Sequence, residues 1–368
     1  MKIGLVTYKI GRKIYRQTLP ICRPFLRRSG PIARLLRQPN PFKRPWKGQT
    51  IELARDTGLG DVLMCTPVLR ELKRRNPRCY IRFYTRYGPL VNGLPYIDEV
   101  LPYDHKPAAA LYLSYEEAVP PEVHLSRIIG DTVGLEVTDT HPDCVTRSDL
   151  VENYRQSFAH LPRPRIVFLR GSSSWTPNKN WPDPNWVTLI TSLARNATVI
   201  EIGQGDAATG AIASCNYVDL RGKTSLEQLA AVVAASDLYV GPVSGPMHIA
   251  VAVGTPSVTI CGGYESSRGL EHHAGVKSTT NVFLSSDLPC SPCWLRTPCP
   301  IGLKCLISIS PTQVEKAIVG ALANRSEKHP SFSAQSNESK RHYLRPQPAT
   351  GVSFSHAGGA ARTDAADA

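Results

Sequence analysis

The chain of 368 residues carries 43 Lys and Arg against 30 Asp and Glu, a formal net charge of +13. Thirteen of the basic residues fall in the first fifty positions, which hold no acidic residue, so the rest of the chain is balanced. The charge belongs to one arm and not to a folded surface, which with the lack of any recognisable module argues against nucleic acid as a partner. No apolar run reaches the roughly 18 residues needed to span a bilayer, and no signal-peptide core is visible.

The arm, residues 1–48, mixes Arg and Lys with Ile, Leu, Phe and Trp, and Pro20, Pro24 and Pro31 prevent one long helix. Basic side chains beside apolar ones favour an anionic membrane surface, at about 1 kcal/mol per charge; a solvated arm without a partner is the plainer alternative. Thr50 to Ala54 reads as the first strand, and Gly58 and Gly60 turn the chain into a helix over Asp61–Arg75. Val62, Thr66, Leu69 and Leu72 recur there at helical spacing. Cys79 to Thr85 is the second strand, and Ile97–Leu101 an edge. Tyr112 to Val137 gives a strand or loop and then a helix, while residues 141–164 connect two halves.

In the second half, strands are expected at Arg165–Leu169 and Ala197–Gly203 and helices at Trp186–Arg195 and Thr224–Ala235, the latter opened by a capping box of Thr224 and Glu227. From Asp237 to Gly263 the pattern is strand, tight turn, short helix, strand. Pro246 suits a first helical turn, and Gly254 with Pro256 stops the helix. A helix over Pro311–Asn324 either closes this half or reaches back to the first. Beyond about residue 325 the chain is rich in Ser, Ala, Gly and Pro and is expected to be disordered. The alternation of strands and helices predicts an α/β protein with two parallel sheets, each covered on both faces.

The turn Ser244-Gly-Pro-Met-His248 is the most informative short segment. The N–H groups from Gly245 to His248 are expected to lie free at a helix start, in the crevice at the carboxyl end of a parallel sheet, where they would bind a phosphate. Gly245 would let a ligand approach the backbone. Gly58-x-Gly60 lacks the third glycine of a dinucleotide fingerprint, which disfavours a nicotinamide enzyme. Cys290, Cys293, Cys299 and Cys305 have metal-ligand spacing and suit a structural Zn or Fe ion, with reduced or redox-active thiols as the alternatives. The other six cysteines read as buried apolar residues. Trp175, Trp181 and Trp186 read as packing anchors, and Glu201 as a weak candidate for ribose or base recognition.

Three segments in order resemble glycosyltransferase family 9, the bacterial heptosyltransferase group. They are Gly58-Leu-Gly-Asp-Val-Leu-Met-Cys-Thr-Pro67, Gly171-Ser-Ser-Ser-Trp-Thr-Pro-Asn-Lys-Asn-Trp-Pro-Asp-Pro-Asn-Trp186, and Val243-Ser-Gly-Pro-Met-His248 with the strands around it. The resemblance covers about residues 49–324. It implies a GT-B architecture, two Rossmann-like doubly wound domains facing a cleft: the basic arm 1–48, an acceptor domain 49–150, a linker 151–164, a donor-binding domain 165–325 and a disordered tail 326–368.

The implied activity is inverting, metal-independent transfer of a sugar, heptose among the candidates, from a nucleotide-sugar (ADP-sugar favoured) to a lipopolysaccharide-type or other glycan or lipid-linked acceptor. The implied location is cytoplasmic, at the inner face of the membrane. Asp61, in the loop of Gly58 and Gly60, is then the base for the acceptor hydroxyl, although Asp at a helix start is also an ordinary cap. Lys179 neutralises the departing diphosphate, aided by Ser172, Ser173 and the turn Ser244, Gly245, Pro246, Met247 and His248. Val243 stands where the family carries an aspartate thought to contact the donor sugar. Two alternatives remain: a protein O-glycosyltransferase of the autotransporter heptosyltransferase type with a structural metal, and a catalytically silent nucleotide-binding relative.

Overall fold

A computed structural model describes residues 49–116, 121, 123–171, 176–204, 212–266, 269–270, 281–286 and 288–328. The basic arm 1–48, Ser172 and Ser173, Trp175 and the tail from residue 329 lie outside the described residues.

The first sheet contains β1 (Thr50–Ala54), β2 (Tyr80–Tyr84), β3 (Glu99–Leu101) and β4 (Leu111–Tyr112), all parallel, in the order β3-β2-β1-β4. Between β1 and β2 runs α1 (Leu59–Arg75), two residues longer at its start than the sequence pattern indicates. Pro67 sits inside it and cannot donate to the Leu63 carbonyl. The Thr66 hydroxyl takes over, donating to that carbonyl at 2.7 Å. The helix therefore passes through a proline without orphaning the acceptor. β4 leads to α2 (Leu125–Thr132), capped by the His124 imidazole, which accepts from the Ser126 amide.

The stretch connecting the halves contains a helix, α3 (Ser148–Ser157). It packs Val151 against Ala231 and Ala235 of the second half.

The second sheet has six parallel strands: β5 (Arg165–Phe168), β6 (Thr198–Glu201), β7 (Tyr217–Asp219), β8 (Leu238–Pro242), β9 (Ser257–Gly262) and β10 (Asn281–Ser285), ordered β10-β9-β8-β5-β6-β7. Its helices are α4 (Asp183–Leu193), α5 (Leu226–Ala234), α6 (Gly245–Val253), α7 (Lys304–Ile307) and α8 (Pro311–Lys328). The capping box of α5 is one residue later than the sequence reading puts it. Ser225 accepts from the Gln228 amide, and Gln228 accepts from the Ser225 amide. Glu227 instead lies in the first turn, where a negative charge suits the helix dipole. α8 packs on α4, β8, β9 and β10, so it closes the second half.

Two apolar clusters hold the chain together. One begins with Ile51, Leu53, Ile81 and Phe83 of the first sheet and passes through Val62 and Leu69 of α1. It continues through Met247, Ile249 and Ala250 of α6 to Val167 and Tyr239 of the second sheet. The other lies on the opposite face of the second sheet, where Phe168 and Val240 meet Trp181, Trp186, Val314 and Ile318. Trp181 and Trp186 stand edge to face at 4.9 Å, and the Trp181 indole donates to the Ile309 carbonyl. Both serve as packing anchors, as expected. No helix among the described residues is long and apolar enough to cross a membrane.

In each sheet the strand order reverses direction once, between β1 and β4 in the first and between β5 and β8 in the second. Ligands of open α/β sheets bind beyond the carboxyl ends of the strands at such points. The loops that leave these four strands carry most of the residues singled out from sequence.

Candidate active site

The loop after β1 needs Gly58. Its φ is 74°, and a Cβ there would stand 2.6 Å from an Asp61 carboxylate oxygen. The turn places Asp61 in the first turn of α1 without making it a cap: no side chain caps this helix. The carboxylate faces Arg55 and Tyr115 instead. Arg55 Nη2 donates to Asp61 Oδ2 at 2.7 Å, and the Tyr115 hydroxyl donates to Oδ1 at 2.9 Å. Asp61 is therefore not the ordinary cap that the sequence also allows.

Arg55 is fully buried and its charge is shared. Nη2 also lies 2.7 Å from Glu116 Oε1, Nη1 donates to the Leu113 carbonyl at 2.9 Å, and the guanidinium lies over the rings of Tyr112 and Tyr115. Burial lifts Asp61 above the ordinary aspartate range, against the opposing pull of Arg55 and the Tyr115 hydroxyl. Burial also acts upward on Glu116, but its hydrogen bond to Arg55 and the charge of Arg55 outweigh it, and Glu116 is lowered. Two neighbouring carboxyl groups are thereby driven apart in their affinity for a proton. Cys65, whose thiol donates to the Asp61 carbonyl, is pushed up to about 12 by burial and stays a thiol.

Across from this cluster stands the turn after β8. Gly60 and Gly245 let the starts of α1 and α6 meet: a Cβ on Gly60 would lie 2.6 Å from His248 Cδ2, and one on Gly245 would lie 2.5 Å from Leu59 Cδ2. Gly60→Ala should therefore lower stability by about 1–3 kcal/mol through overpacking, read as a drop in denaturant midpoint; an unchanged midpoint would show that His248 can move aside.

The start of α6 offers fewer free donors than the sequence reading gives. Pro246 has no amide hydrogen, and the Met247 and His248 amides already donate to the Ser244 carbonyl. The donor left at the helix start is the Gly245 amide. Ser244 does not cap α6; its hydroxyl donates to the Pro242 carbonyl at 3.1 Å and meets the Tyr239 hydroxyl at 3.0 Å. Met247 is fully buried in the core and His248 nearly so, while Ser244, Gly245 and Pro246 are half-buried. Val243 is buried in the same core.

Lys179 ends a short 3-10 turn, Pro177–Lys179, capped by Thr176. Thr176 and Asn178 fasten this turn to the cysteine-rich loop by donating to the Leu295 carbonyl, and Asn178 also to that of Thr297. The ammonium donates to Glu265 Oε1 at 2.7 Å and lies over the Tyr264 ring. Burial lifts Glu265 above its usual range, Lys179 opposes this, and the charge of Asp61 adds to it.

Glu201 does not present itself to a ligand. It is buried at the end of β6, gripped through both oxygens by Arg170 and further held by the Tyr217 hydroxyl and Arg221.

Among the described residues no group of three or more His, Cys, Asp or Glu is arranged to hold a metal ion. Cys290, Cys299 and Cys305 act electrically on Cys293, yet Cys305 is drawn inward beside Gly262 while Cys290 faces solvent. Of the other cysteines, Cys65, Cys79 and Cys261 are buried as expected; Cys215 is exposed and Cys144 half-buried.

Arg55, Tyr115, Glu116 and Glu265 are not singled out from sequence. Tyr115 and Glu116 lie more than fifty residues from Asp61 and reach it only through the β1–β4 pairing. Glu265 carried a signal: a charged residue just past the carboxyl end of a buried strand stands where open sheets bind ligands.

Residues 116–302 match the family model described as glycosyltransferase family 9 (heptosyltransferase). Lipopolysaccharide heptosyltransferase 1 of Pseudomonas aeruginosa is 28% identical over 139 residues, 36% of this chain and 37% of that protein. The chain thus spans about a third of the length of the curated relatives it matches. Among solved structures, E. coli ADP-heptose lps heptosyltransferase II is similar at a TM-score of 0.56 and 18% identity, over 76% of this chain and 100% of that one. The dodecameric iron-containing heptosyltransferase TibC in complex with ADP-D-beta-D-heptose is similar at 0.57 and 17% identity, over 79% of this chain and 81% of that one. These two likenesses concern the fold, and they agree with the GT-B architecture of two facing parallel sheets. With the family model covering half its length, the chain belongs to glycosyltransferase family 9.

Proposed function

We propose that this protein transfers a glycosyl unit from a nucleotide-sugar, ADP-heptose first among the candidates, to a hydroxyl of a lipopolysaccharide-type acceptor, with inversion. The observation that carries the reading is Asp61, lifted and held by Arg55 and Tyr115, on a helix start that meets Gly245 of α6, with its charge felt by Glu265, the partner of Lys179. In this reading residues 49–150 present the acceptor and residues 165–325 hold the donor, joined by 151–164.

The acceptor oxygen attacks the anomeric carbon as its proton passes to Asp61, and the bond from that carbon to the phosphate oxygen breaks. Negative charge grows on the leaving diphosphate, where a fixed cation and a helix-start amide stabilise it most. Ser172 and Ser173 remain phosphate-binding candidates from the sequence alone. The arm 1–48 brings the enzyme to an anionic leaflet on the cytoplasmic face, where lipid-linked acceptors reside.

The test is a panel of nucleotide-sugars scored by thermal stabilisation and then by transfer to a lipopolysaccharide-core acceptor. Binding with neither transfer nor hydrolysis would leave a silent nucleotide-binding protein, and transfer only to a polypeptide would replace the acceptor. Lys179→Ala should weaken nucleoside diphosphate binding by about tenfold, the value of one charge-assisted hydrogen bond. Unchanged affinity in calorimetry would remove Lys179 from the phosphate site.

A further inference from the structure

Among the described residues, Glu265 holds a hydrogen-bonding atom without a partner. Its Oε1 accepts from Lys179 at 2.7 Å, while the buried Oε2 meets no donor there. The whole residue is only 6% exposed. Desolvating a carboxylate oxygen without supplying a donor is unfavourable, and a native fold that keeps such an atom keeps it for a reason outside its own contacts.

The surroundings say what that reason is. Glu265 stands three residues past the carboxyl end of β9, beside the strand whose end carries the Ser244–Gly245 turn. Its backbone neighbours are fixed: the Cys293 amide donates to the Gly263 carbonyl, the Trp294 amide to that of Tyr264, and the rings of Tyr264 and Trp294 pack at 5.4 Å. The carboxylate is thus held against Lys179, the cation that the proposed function puts at the diphosphate. Meanwhile the residue just before the turn, Val243, is apolar and buried in the core, so it offers no acceptor to a ligand. A carboxylate only accepts, and the groups of a nucleotide-sugar that donate near its diphosphate are the hydroxyls of the sugar.

We propose that Glu265 is the specificity-determining contact to the donor sugar: its Oε2 accepts a hydroxyl hydrogen of the glycosyl unit whose diphosphate Lys179 neutralises. The inference rests on the glycosyl-transfer reading above. It places sugar recognition on the loop after β9, in compensation for the apolar residue at 243. A site built to bond a hydroxyl rejects an analogue lacking it far more strongly than an apolar pocket would.

Calorimetric titration of the full chain and of Glu265→Ala and Glu265→Gln tests this, using ADP with ADP-heptose and ADP-glucose, and UDP with UDP-glucose. The intact protein should prefer one nucleotide-sugar over its own nucleoside diphosphate. Glu265→Ala should lose about tenfold or more of that preference while its affinity for the free diphosphate holds or rises, because Lys179 is released from a competing carboxylate. Glu265→Gln keeps the shape and one acceptor oxygen and should retain part of the preference. Equal weakening of both ligands would make Glu265 a brace for Lys179 only and overturn the proposal, as would a preference unchanged in both variants. An intact protein that binds neither member of any pair would refute the glycosyl-transfer reading itself, and the role of Glu265 with it.

Discussion

Asp61→Asn should lower the rate of sugar transfer by about 10²–10⁴-fold while leaving nucleotide affinity within a factor of about two, because general-base assistance is lost and the phosphate contacts are not. The amide keeps an oxygen for Arg55 but has no basicity. Burial disfavours the ionised form of Asp61 in the folded protein. A carboxyl raised on folding adds stability that is complete below its unfolded pKa and lost as pH rises through its folded one. Replacing it with a neutral amide should therefore leave the melting temperature at pH 7 unchanged or higher. That separates a chemical defect from a folding defect. In the unmodified enzyme the rate should fall as pH is lowered through the raised pKa of Asp61, at a pH above the ordinary aspartate range of about 3.9. Full turnover by Asp61→Asn, or a flat acid limb, would take the base role away from this residue.

Arg55→Met should give the largest loss of stability, about 3 kcal/mol at pH 7. A buried cation removed from two carboxylates leaves both uncompensated, and the Leu113 carbonyl loses its donor as well. The lower end of the range for such losses applies because the side chains of Asp61 and Glu116 retain 20% and 27% exposure. The deficit should narrow toward acid. Glu116 is lowered on folding, so its contribution is present above its unfolded pKa and disappears as pH falls through its folded one. The variant never had that contribution to lose. Urea unfolding at pH 7 and pH 4 measures both effects. The acid limb of any remaining activity should also shift to higher pH, since Asp61 loses the cation that opposes its burial. A stability equal to that of the parent would mean that the two carboxyl groups do not depend on Arg55.

Most of the architecture was legible because it rests on periodicity. β1 was bounded to the residue, and the segment from Leu238 to Gly262 shows its strand, turn, helix and strand where Gly241-Pro242, Pro246, Gly254 and Pro256 put them. The α5 capping box moved by one residue because Ser225 and Gln228 satisfy the same spacing as Thr224 and Glu227. Asp61, Lys179 and the Ser244 turn stood out as candidates through motifs, which are local in sequence. The partners that shape their chemistry did not, since Arg55 meets Glu116 and Lys179 meets Glu265 only after strands distant in the chain are laid side by side. Nor does separation along the chain reveal that Cys305 is buried while Cys290 is exposed.

The apolar cluster that begins in the first sheet does not stop at the boundary between the halves but runs through α1 and α6 into the second. Neither half could be cut free at the connecting segment without wetting Met247, Ile249 and the face of α1 that covers them. What looks from the topology like a pair of modules is energetically one folding unit. A lesion that loosens either sheet is thus transmitted to the other through the shared cluster.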